Sequence, residues 1–271
     1  MRKSPSDFDS SVDEENPYWM SFSDIMSALV VIFILAAVVL MVQLAETEEQ
    51  LQDKVKDLDE RVLLLDEELE ILQQAEYVRK TIITEAAEAL QQRGVTVVVS
   101  ENDTVLRISN QLLGFETADY EIQPEYQDTA YSIGEVLYEV MTKGERADYL
   151  DTVFIEGHTD NRPFNGFMGK GNWGLSTFRA ISLWQYWNNH LPEGSRLDQL
   201  KNSDQTPLFS VSGYGDTRPI TAEQNTEEEL SANRRIDIRF TIRRPESKDI
   251  RELQGRVEQK SAAFPHLTAR R

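Results

Sequence analysis

Cysteine is absent from the 271-residue sequence, and histidine occurs only three times. The lack of cysteine excludes disulfides, thiol catalysis and thiolate metal sites. Because a zinc site needs three or four well-placed ligands, His158, His190 and His266 give little support for one. A hydrolase needs a nucleophile beside a base, and no G-x-S-x-G elbow occurs. We therefore predict a protein that is not an enzyme, with no catalytic residue, no metal and no cofactor, in which His158 is a structural residue of its loop.

Positive charge is also scarce. The chain has 28 basic and 47 acidic residues, which gives a net charge of -19. Proteins bind nucleic acid through clustered lysines and arginines that neutralise phosphates. Since no long basic stretch occurs, we exclude nucleic acid as a partner.

Charge is missing altogether from residues 25–45, which are almost entirely apolar. A bilayer core of about 30 Å requires about 20 apolar helical residues, and this run supplies them. A cleaved signal peptide is the alternative, but its leader would be basic and its apolar core shorter. Here the charged residues that precede the apolar run are mainly acidic, and no small-residue cleavage site follows the run. We predict a permanent transmembrane helix.

The start of this helix carries recognisable signals and one acidic residue. Asn16 can cap the helix, Pro17 suits its first position, and Tyr18 and Trp19 suit the membrane interface. At 1.5 Å per residue, Asp24 then lies about 10 Å along the axis, at the hydrocarbon edge. A carboxylate there is a candidate functional group. Position alone also allows an inert carboxylate at the headgroups, and the flanking basic residues do not determine the orientation.

A heptad pattern follows the apolar run. Leucine recurs every seven residues, and a second apolar stripe lies four residues after three of these leucines: Leu44, Leu51, Leu58, Leu65 and Leu72, with Val55, Val62 and Leu69. Such a pattern favours a parallel coiled coil of two helices. Glu48 weakens the pairing near the membrane, and Glu76 ends it. Because residues 46–76 carry a net charge of -9, a single solvated helix or a disordered spacer is the alternative. We predict a homodimeric coiled coil.

The remaining sequence predicts alternating strands and helices. We expect a β-hairpin at 95–109, helices at 124–141 and 176–191, and strands at 149–156, 207–212 and 236–242. Helices that alternate with strands in this way cover a sheet. The predicted fold is therefore an α/β (α+β) sandwich of helices on a mixed sheet.

Four motifs occur in order along this part of the chain: IEGHTD (155–160), NWGLSTFRA (172–180), GYGDTRPI (213–220) and NRRIDI (233–238). In this order they resemble the OmpA-like peptidoglycan-binding domain. The N-terminal SFSDIMSAL (21–29), followed by an apolar run, resembles the MotB family of flagellar stator subunits. NPYWMSFSDIM (16–26) is more similar still to the MotB-like subunit of the Zorya phage-defence system.

The resemblance to OmpA-like domains implies a binding site for diaminopimelate, whose side chain ends in an ammonium and a carboxylate. It implies Asp160 for the ammonium and Arg179 for the carboxylate, which a guanidinium can bind bidentately. Asn172, Leu175 and Arg234 match further family positions. The alternative is that these last three residues only support the loop and the core.

One segment departs from the simpler OmpA-like lipoproteins. Residues 161–171 read NRPFNGFMGKG, which is a longer connection with three glycines. We expect it to be flexible and to reshape access to the peptidoglycan site.

The resemblance to MotB implies a single-pass protein of the bacterial inner membrane, with a cytoplasmic N-terminus and a periplasmic C-terminal domain. Asp24 would carry the coupling ion, H⁺ or Na⁺, and two copies of this chain would join five copies of a polytopic MotA-like partner. The implied division is as follows: 1–16 cytoplasmic tail, 17–45 transmembrane helix, 46–76 coiled-coil stalk, 77–245 OmpA-like domain and 246–271 C-terminal tail. The alternatives are a flagellar MotB-type subunit and a passive peptidoglycan tether in which Asp24 is inert.

Overall fold

The computed structural model describes residues 17–100, 102–116, 118–245 and Gly255. Both predicted tails, 1–16 and 246–271, therefore lie outside the described residues, apart from Gly255. The chain divides into two compact units between Leu63 and Leu64. Each unit is described by itself.

The described part of the first unit is the N-terminal part of one long helix. Helix α1 runs Pro17–Gln92 and begins at the proline that the sequence predicted as its first residue. By length and composition it is able to cross a membrane, and none of its apolar window is buried in the chain. Within the apolar part the Ser27 hydroxyl donates to the Ser23 carbonyl at 2.7 Å, so this polar group is satisfied inside the helix.

The heptad stripe lies uncovered on this helix. Leu51, Val55, Leu58 and Val62 are 53–59% exposed. No described residue of the chain covers them. An apolar stripe with this spacing is what a second helix covers in a coiled coil.

The second unit contains a sheet and the helices that pack on it. Its strands are β1 (Val98–Val99), β2 (Val105–Ser109), β3 (Leu150–His158), β4 (Phe209–Gly213) and β5 (Arg235–Ile242). Its further helices are α2 (Asn110–Leu113), α3 (Gln127–Met141), α4 (Gly166–Gly169), α5 (Gly171–His190) and α6 (Glu227–Asn233), and short 3₁₀ segments lie at 124–126, 146–149, 193–195 and 197–199.

The sheet is mixed and has five strands in the order β1-β2-β5-β3-β4. Strands β3 and β4 are parallel, and the other neighbours are antiparallel. The predicted hairpin is confirmed, since Val98 lies opposite Arg107 across β1 and β2. The predicted class, helices on a mixed sheet, is also confirmed.

One face of the sheet builds the core. Alternate residues of the central strands point to this face, where helices α1, α3 and α5 cover them. The last turns of α1 take part because Ile82, Ile83 and Leu90 are fully buried at helical spacing. Trp187 of α5 is also fully buried, and its indole N–H donates to the Ala130 carbonyl at 2.7 Å.

Several predicted boundaries are wrong, and three of them bear on the site. Strand β3 runs on to His158, so this histidine is the last residue of a strand and not part of a loop. Strand β4 begins at Phe209 rather than at 207. Helix α5 begins at Gly171, five residues before the predicted start. Glycine has a low intrinsic helix propensity, which hid this first turn, but close packing against the strands favours helix there.

Candidate ligand-binding site

Two glycines let helix α5 lie directly on the ends of strands β3 and β4. Gly157 and Gly213 are neighbours in the parallel ladder. A Cβ on Gly157 would lie 1.9 Å from the Ser176 carbonyl oxygen, and one on Gly213 would lie 2.2 Å from the Thr177 hydroxyl. No larger residue fits at such distances, so these glycines bring the N-terminal turns of α5 beside the residues that follow β3.

Hydrogen bonds then fix the two loops that leave the strands. The Thr159 N–H donates to the Gly215 carbonyl at 2.9 Å, and the Gly215 N–H donates to the Ser176 hydroxyl at 2.9 Å. The chain after β3, the chain after β4 and helix α5 are therefore joined at one point. This junction sets the direction in which Asp160 leaves the sheet.

All five residues predicted for peptidoglycan binding line one small cavity beside this junction. The cavity has a volume of about 120 Å³. Its lining consists of Ala118, Thr159, Asp160, Arg162, Pro163, Phe164, Asn172, Leu175, Arg179 and Arg234. The geometry thus brings the predicted residues together, while their role in binding stays a prediction.

Asp160 is the anionic centre of the cavity and is only 6% exposed. Its Oδ2 accepts hydrogen bonds from Arg162 Nη2 at 2.7 Å, from Arg162 Nε at 3.1 Å and from Arg234 Nη1 at 2.7 Å. Its Oδ1 accepts the Arg162 backbone N–H at 3.1 Å. Burial raises the pKa of Asp160, but the hydrogen bonds from Arg162 and Arg234 outweigh burial, and the pKa is lowered. The carboxylate is therefore ionised.

Arg179 also lines the cavity and is almost fully buried, since it is only 3% exposed. Its Nε donates to the Asp119 carbonyl and its Nη2 to the Glu116 carbonyl, each at 2.8 Å. Burial lowers the pKa of Arg179 to about 10, so it stays charged at neutral pH. Within the described part of the chain, Nη1 makes no hydrogen bond. Part of the guanidinium therefore holds a loop, and a contact with a ligand carboxylate stays a prediction.

The three other predicted residues have different surroundings. Arg234 is held between Asp160 and Glu227, whose carboxylate lies 2.5 Å from Arg234 Nη2. The Asn172 amide donates to the Arg162 carbonyl at 3.1 Å and so supports the loop. Leu175 is buried and forms an apolar wall. Support of the loop and core, which was the alternative for these residues, fits Asn172 best.

The sequence did not identify Arg162 as a site residue. Its position two residues after Asp160, at the end of a buried strand, was the available signal. Phe164 and Thr159 also line the cavity without having been predicted. Thr159 is 4% exposed, and its hydroxyl has no hydrogen-bond partner among the described residues.

A second polar cluster lies on the face of the sheet that is opposite the helix-covered core. Glu156, His158 and Asp237 offer potential metal-ligand atoms within 4.8 Å of one another, and all three are buried. The carboxylates are already paired with arginines. Arg239 lies 2.8 Å from Glu156, and Arg235 lies 3.0 Å from Asp237.

These arginines disfavour a metal ion at the cluster. Burial, followed by the positive charges of Arg235 and Arg218, lowers the pKa of His158 to about 2. The same positive field that opposes a proton on the imidazole opposes a divalent cation beside it. The cluster fits a structural role, with the neutral His158 ring stacked on Tyr214 at a centroid distance of 5.4 Å.

His158 should make the stability of the domain sensitive to pH. In the unfolded chain it takes up a proton near its ordinary pKa of 6.5, whereas in the folded chain it does so only near 2. The free energy of unfolding should therefore fall as the pH drops below 6.5, by about 1.4 kcal/mol per pH unit. Urea unfolding at pH 7.5 and 5.5 should show this loss for the native chain and not for His158→Phe. The exposed His190→Gln should keep it, and equal losses in all three proteins would contradict the prediction.

Comparison with known proteins gives partial similarities. No family model matches the chain. It is 35% identical to Motility protein B of Bacillus subtilis (strain 168) over 86 residues, which are 32% of this chain and 28% of that protein. It is 32% identical to the uncharacterized protein YtxE of the same strain over 84 residues, 31% of this chain and 30% of that protein. The matches thus span less than a third of either relative.

Solved structures also resemble this chain over part of its length. A MotB-like protein from Desulfovibrio vulgaris is 19% identical with a TM-score of 0.46, over 64% of this chain and 99% of that one. The periplasmic domain of Helicobacter pylori MotB (residues 90–256) is 20% identical with a TM-score of 0.42, over 64% and 93% of the two chains. At these TM-scores the overlaps carry no functional conclusion.

Proposed function

We propose that this chain is a peptidoglycan-anchored stator subunit of an ion-driven rotary motor in the bacterial inner membrane. The observation that carries the proposal is Asp24. It is a lone carboxylate at the start of an apolar helical run that no described residue covers. The partial similarity to Motility protein B supports the same proposal.

Asp24 is the proposed carrier of the coupling ion, H⁺ or Na⁺. A charged residue costs about 2.5–3.5 kcal/mol at the centre of a membrane helix, and carboxylates within such helices usually have a function. One helix cannot surround an ion path, so the motor needs a polytopic partner of the MotA type. We propose two copies of this chain inside five copies of that partner, with each ion that binds an Asp24 releasing a step of rotation.

The cavity around Asp160 is the proposed attachment to peptidoglycan. A diaminopimelate side chain would place its ammonium against Asp160 and its carboxylate against Arg179. The two charges sit in one cavity and are both largely buried, which suits a ligand that carries both signs. In this proposal the N-terminus is cytoplasmic and the second unit is periplasmic, where it holds the stator still. Sedimentation of the full-length chain with purified peptidoglycan tests this attachment.

The heptad stripe is the proposed dimer seam, and it yields a testable prediction. The native chain has no cysteine, so single cysteines can be placed at will. Leu51→Cys or Leu58→Cys should form a disulfide-linked dimer efficiently on mild oxidation, because facing seam positions of parallel helices are close enough for a disulfide.

Gln52→Cys is the matched control, since it is exposed on the same helix but lies outside the seam. It should crosslink several-fold less in non-reducing gels of membrane samples. Equal crosslinking at Gln52 and Leu51 would contradict a specific seam.

The proposed output of the motor is anti-phage defence. The basis is the resemblance of residues 16–26 to the Zorya subunit, and a flagellar MotB-type role is the alternative. The neighbouring genes distinguish the defence role from the flagellar role. A gene for a MotA-like protein with a long cytoplasmic tail, beside helicase or nuclease genes, favours defence. A passive tether is the competing function, since it needs the cavity but not Asp24.

A further inference from the structure

We propose that Arg162 is an internal competitor for the ligand, whose guanidinium occupies the position on Asp160 that an ammonium group of peptidoglycan must take. This inference rests on the proposed binding of peptidoglycan at this cavity. It adds that the site is closed in the free protein and opens only when Arg162 leaves.

The contacts of Arg162 are those of a bound cation. Two of its guanidinium nitrogens, Nη2 and Nε, lie 2.7 and 3.1 Å from Oδ2 of Asp160, and its own backbone N–H binds Oδ1. Both carboxylate oxygens are therefore engaged by one residue. A ligand ammonium would make charge-assisted hydrogen bonds from its single nitrogen to the same carboxylate, so the two cations compete for Asp160.

The rest of the loop closes the cavity. Phe164 lines it, and the chain folds tightly over this ring, since a Cβ on Gly166 would lie 2.2 Å from it. The remaining volume of about 120 Å³ is well below the 300 Å³ or more of ordinary ligand pockets. Gly169 and Gly171 have positive φ values of 78° and 57°, a backbone conformation that glycine adopts without strain.

Arg162 has an alternative partner when it leaves Asp160. Its side chain is 44% exposed, and its Nη1 lies 3.4 Å from a carboxylate oxygen of Glu227, which is itself 65% exposed. A guanidinium displaced from Asp160 can therefore turn towards Glu227 and water without leaving a buried charge unpaired. Arg234 is only 14% exposed and lies between the same two acids, so it is the fixed cation of the pair.

The consequence is a lower affinity and a stricter choice of ligand. A protein whose competent form is only partly populated binds with an affinity reduced by that fraction. A neutral sugar offers no cation to replace Arg162, whereas an amino acid side chain that ends in an ammonium does. The competitor thus favours the peptide stems of peptidoglycan over its glycan strands.

The test is Arg162→Gln in the full-length, detergent-solubilised chain, measured by sedimentation with purified peptidoglycan that contains diaminopimelate. Loss of the competitor should tighten binding about threefold to tenfold, the range expected for a partly exposed ion pair. Arg162→Lys keeps the charge but cannot donate from two nitrogens, so it should fall in between. Lys170→Gln, which removes a positive charge from the same loop outside the cavity, should bind like the native chain.

Unchanged or weaker binding by Arg162→Gln would overturn the proposal, and weaker binding would make Arg162 a ligand contact instead. Asp160→Asn, added to the native chain and to Arg162→Gln, separates this outcome from failure of the proposed function. If the cavity is the attachment site, Asp160→Asn removes binding in both backgrounds. If it changes neither, the peptidoglycan site itself lies elsewhere.

Discussion

Asp160→Asn should lower the binding of the full-length chain to peptidoglycan by at least about 30-fold. The substitution keeps the size of the side chain but removes the only negative charge among the described residues that line the cavity. The ligand ammonium would then face Arg234 without a counter-charge. Leaving a buried charge of this kind unpaired costs about 2–5 kcal/mol, which corresponds to a loss of about 30-fold or more.

Asp148→Asn is the matched control for this prediction. Asp148 is exposed and precedes the first residue of β3, whereas Asp160 follows the last one, so the two acids lie at opposite ends of the same strand. The control should bind peptidoglycan like the native chain in the same sedimentation experiment. Circular dichroism should show that both variants are folded, and binding at the native level by a folded Asp160→Asn would contradict the site.

Arg179 gives a less selective test than Asp160. The resemblance predicts that its loss also weakens binding, because the ligand carboxylate would lose its partner. Its hydrogen bonds to the Glu116 and Asp119 carbonyls mean that Arg179→Ala would release the loop as well. Arg179→Lys keeps the charge and is the better variant, although its single nitrogen cannot serve both carbonyls.

Local patterns in the sequence predicted much of the second unit. The hairpin, the two long helices and three further strands follow from the spacing of apolar residues, which depends only on neighbours along the chain. The cavity residues were taken from the resemblance of the ordered motifs to OmpA-like domains. They lie together because glycines allow the helix to lie on the strands. Gly157 and Gly213 have this role here.

The partners of the charged side chains could not be predicted in the same way. Arg179 donates to carbonyls 60 and 63 residues away, and the pairing of Arg234 with Asp160 spans 74 residues. Such contacts depend on where loops pass in three dimensions, which periodicity does not encode. The expectation that residues 161–171 affect access to the site was general, whereas the bond from Arg162 to Asp160 requires the path of that loop to be known.

Asp24→Asn should reduce the cellular activity of the proposed motor to background. Asparagine keeps the size and polarity of aspartate but cannot ionise, and so it cannot bind and release the coupling ion. Two Asp24 side chains in one dimer would repel each other when both are charged, which favours alternate occupation. Asp24→Glu moves the carboxylate by one methylene and should give partial or no activity.

Asp53→Asn is the matched control for Asp24→Asn. It removes one exposed carboxylate from the same helix but lies beyond the apolar run. Both variants should be made in normal amounts, crosslink through Leu51→Cys and bind peptidoglycan like the native chain. If the chain is a motor subunit, only Asp24→Asn should lose activity. A passive tether would need neither carboxylate, so both variants should then stay active.

The most direct test of the stator proposal is therefore the cellular activity of Asp24→Asn at normal protein abundance. For the proposed defence output, the measurement is protection against phage conferred by the cluster of this gene and its neighbours, with the protein quantified by immunoblot in the same cells. The stator proposal predicts protection no better than that of cells without the cluster, while Asp53→Asn protects fully. Full protection by Asp24→Asn at native abundance would contradict an ion-driven motor and leave a passive peptidoglycan tether as the function.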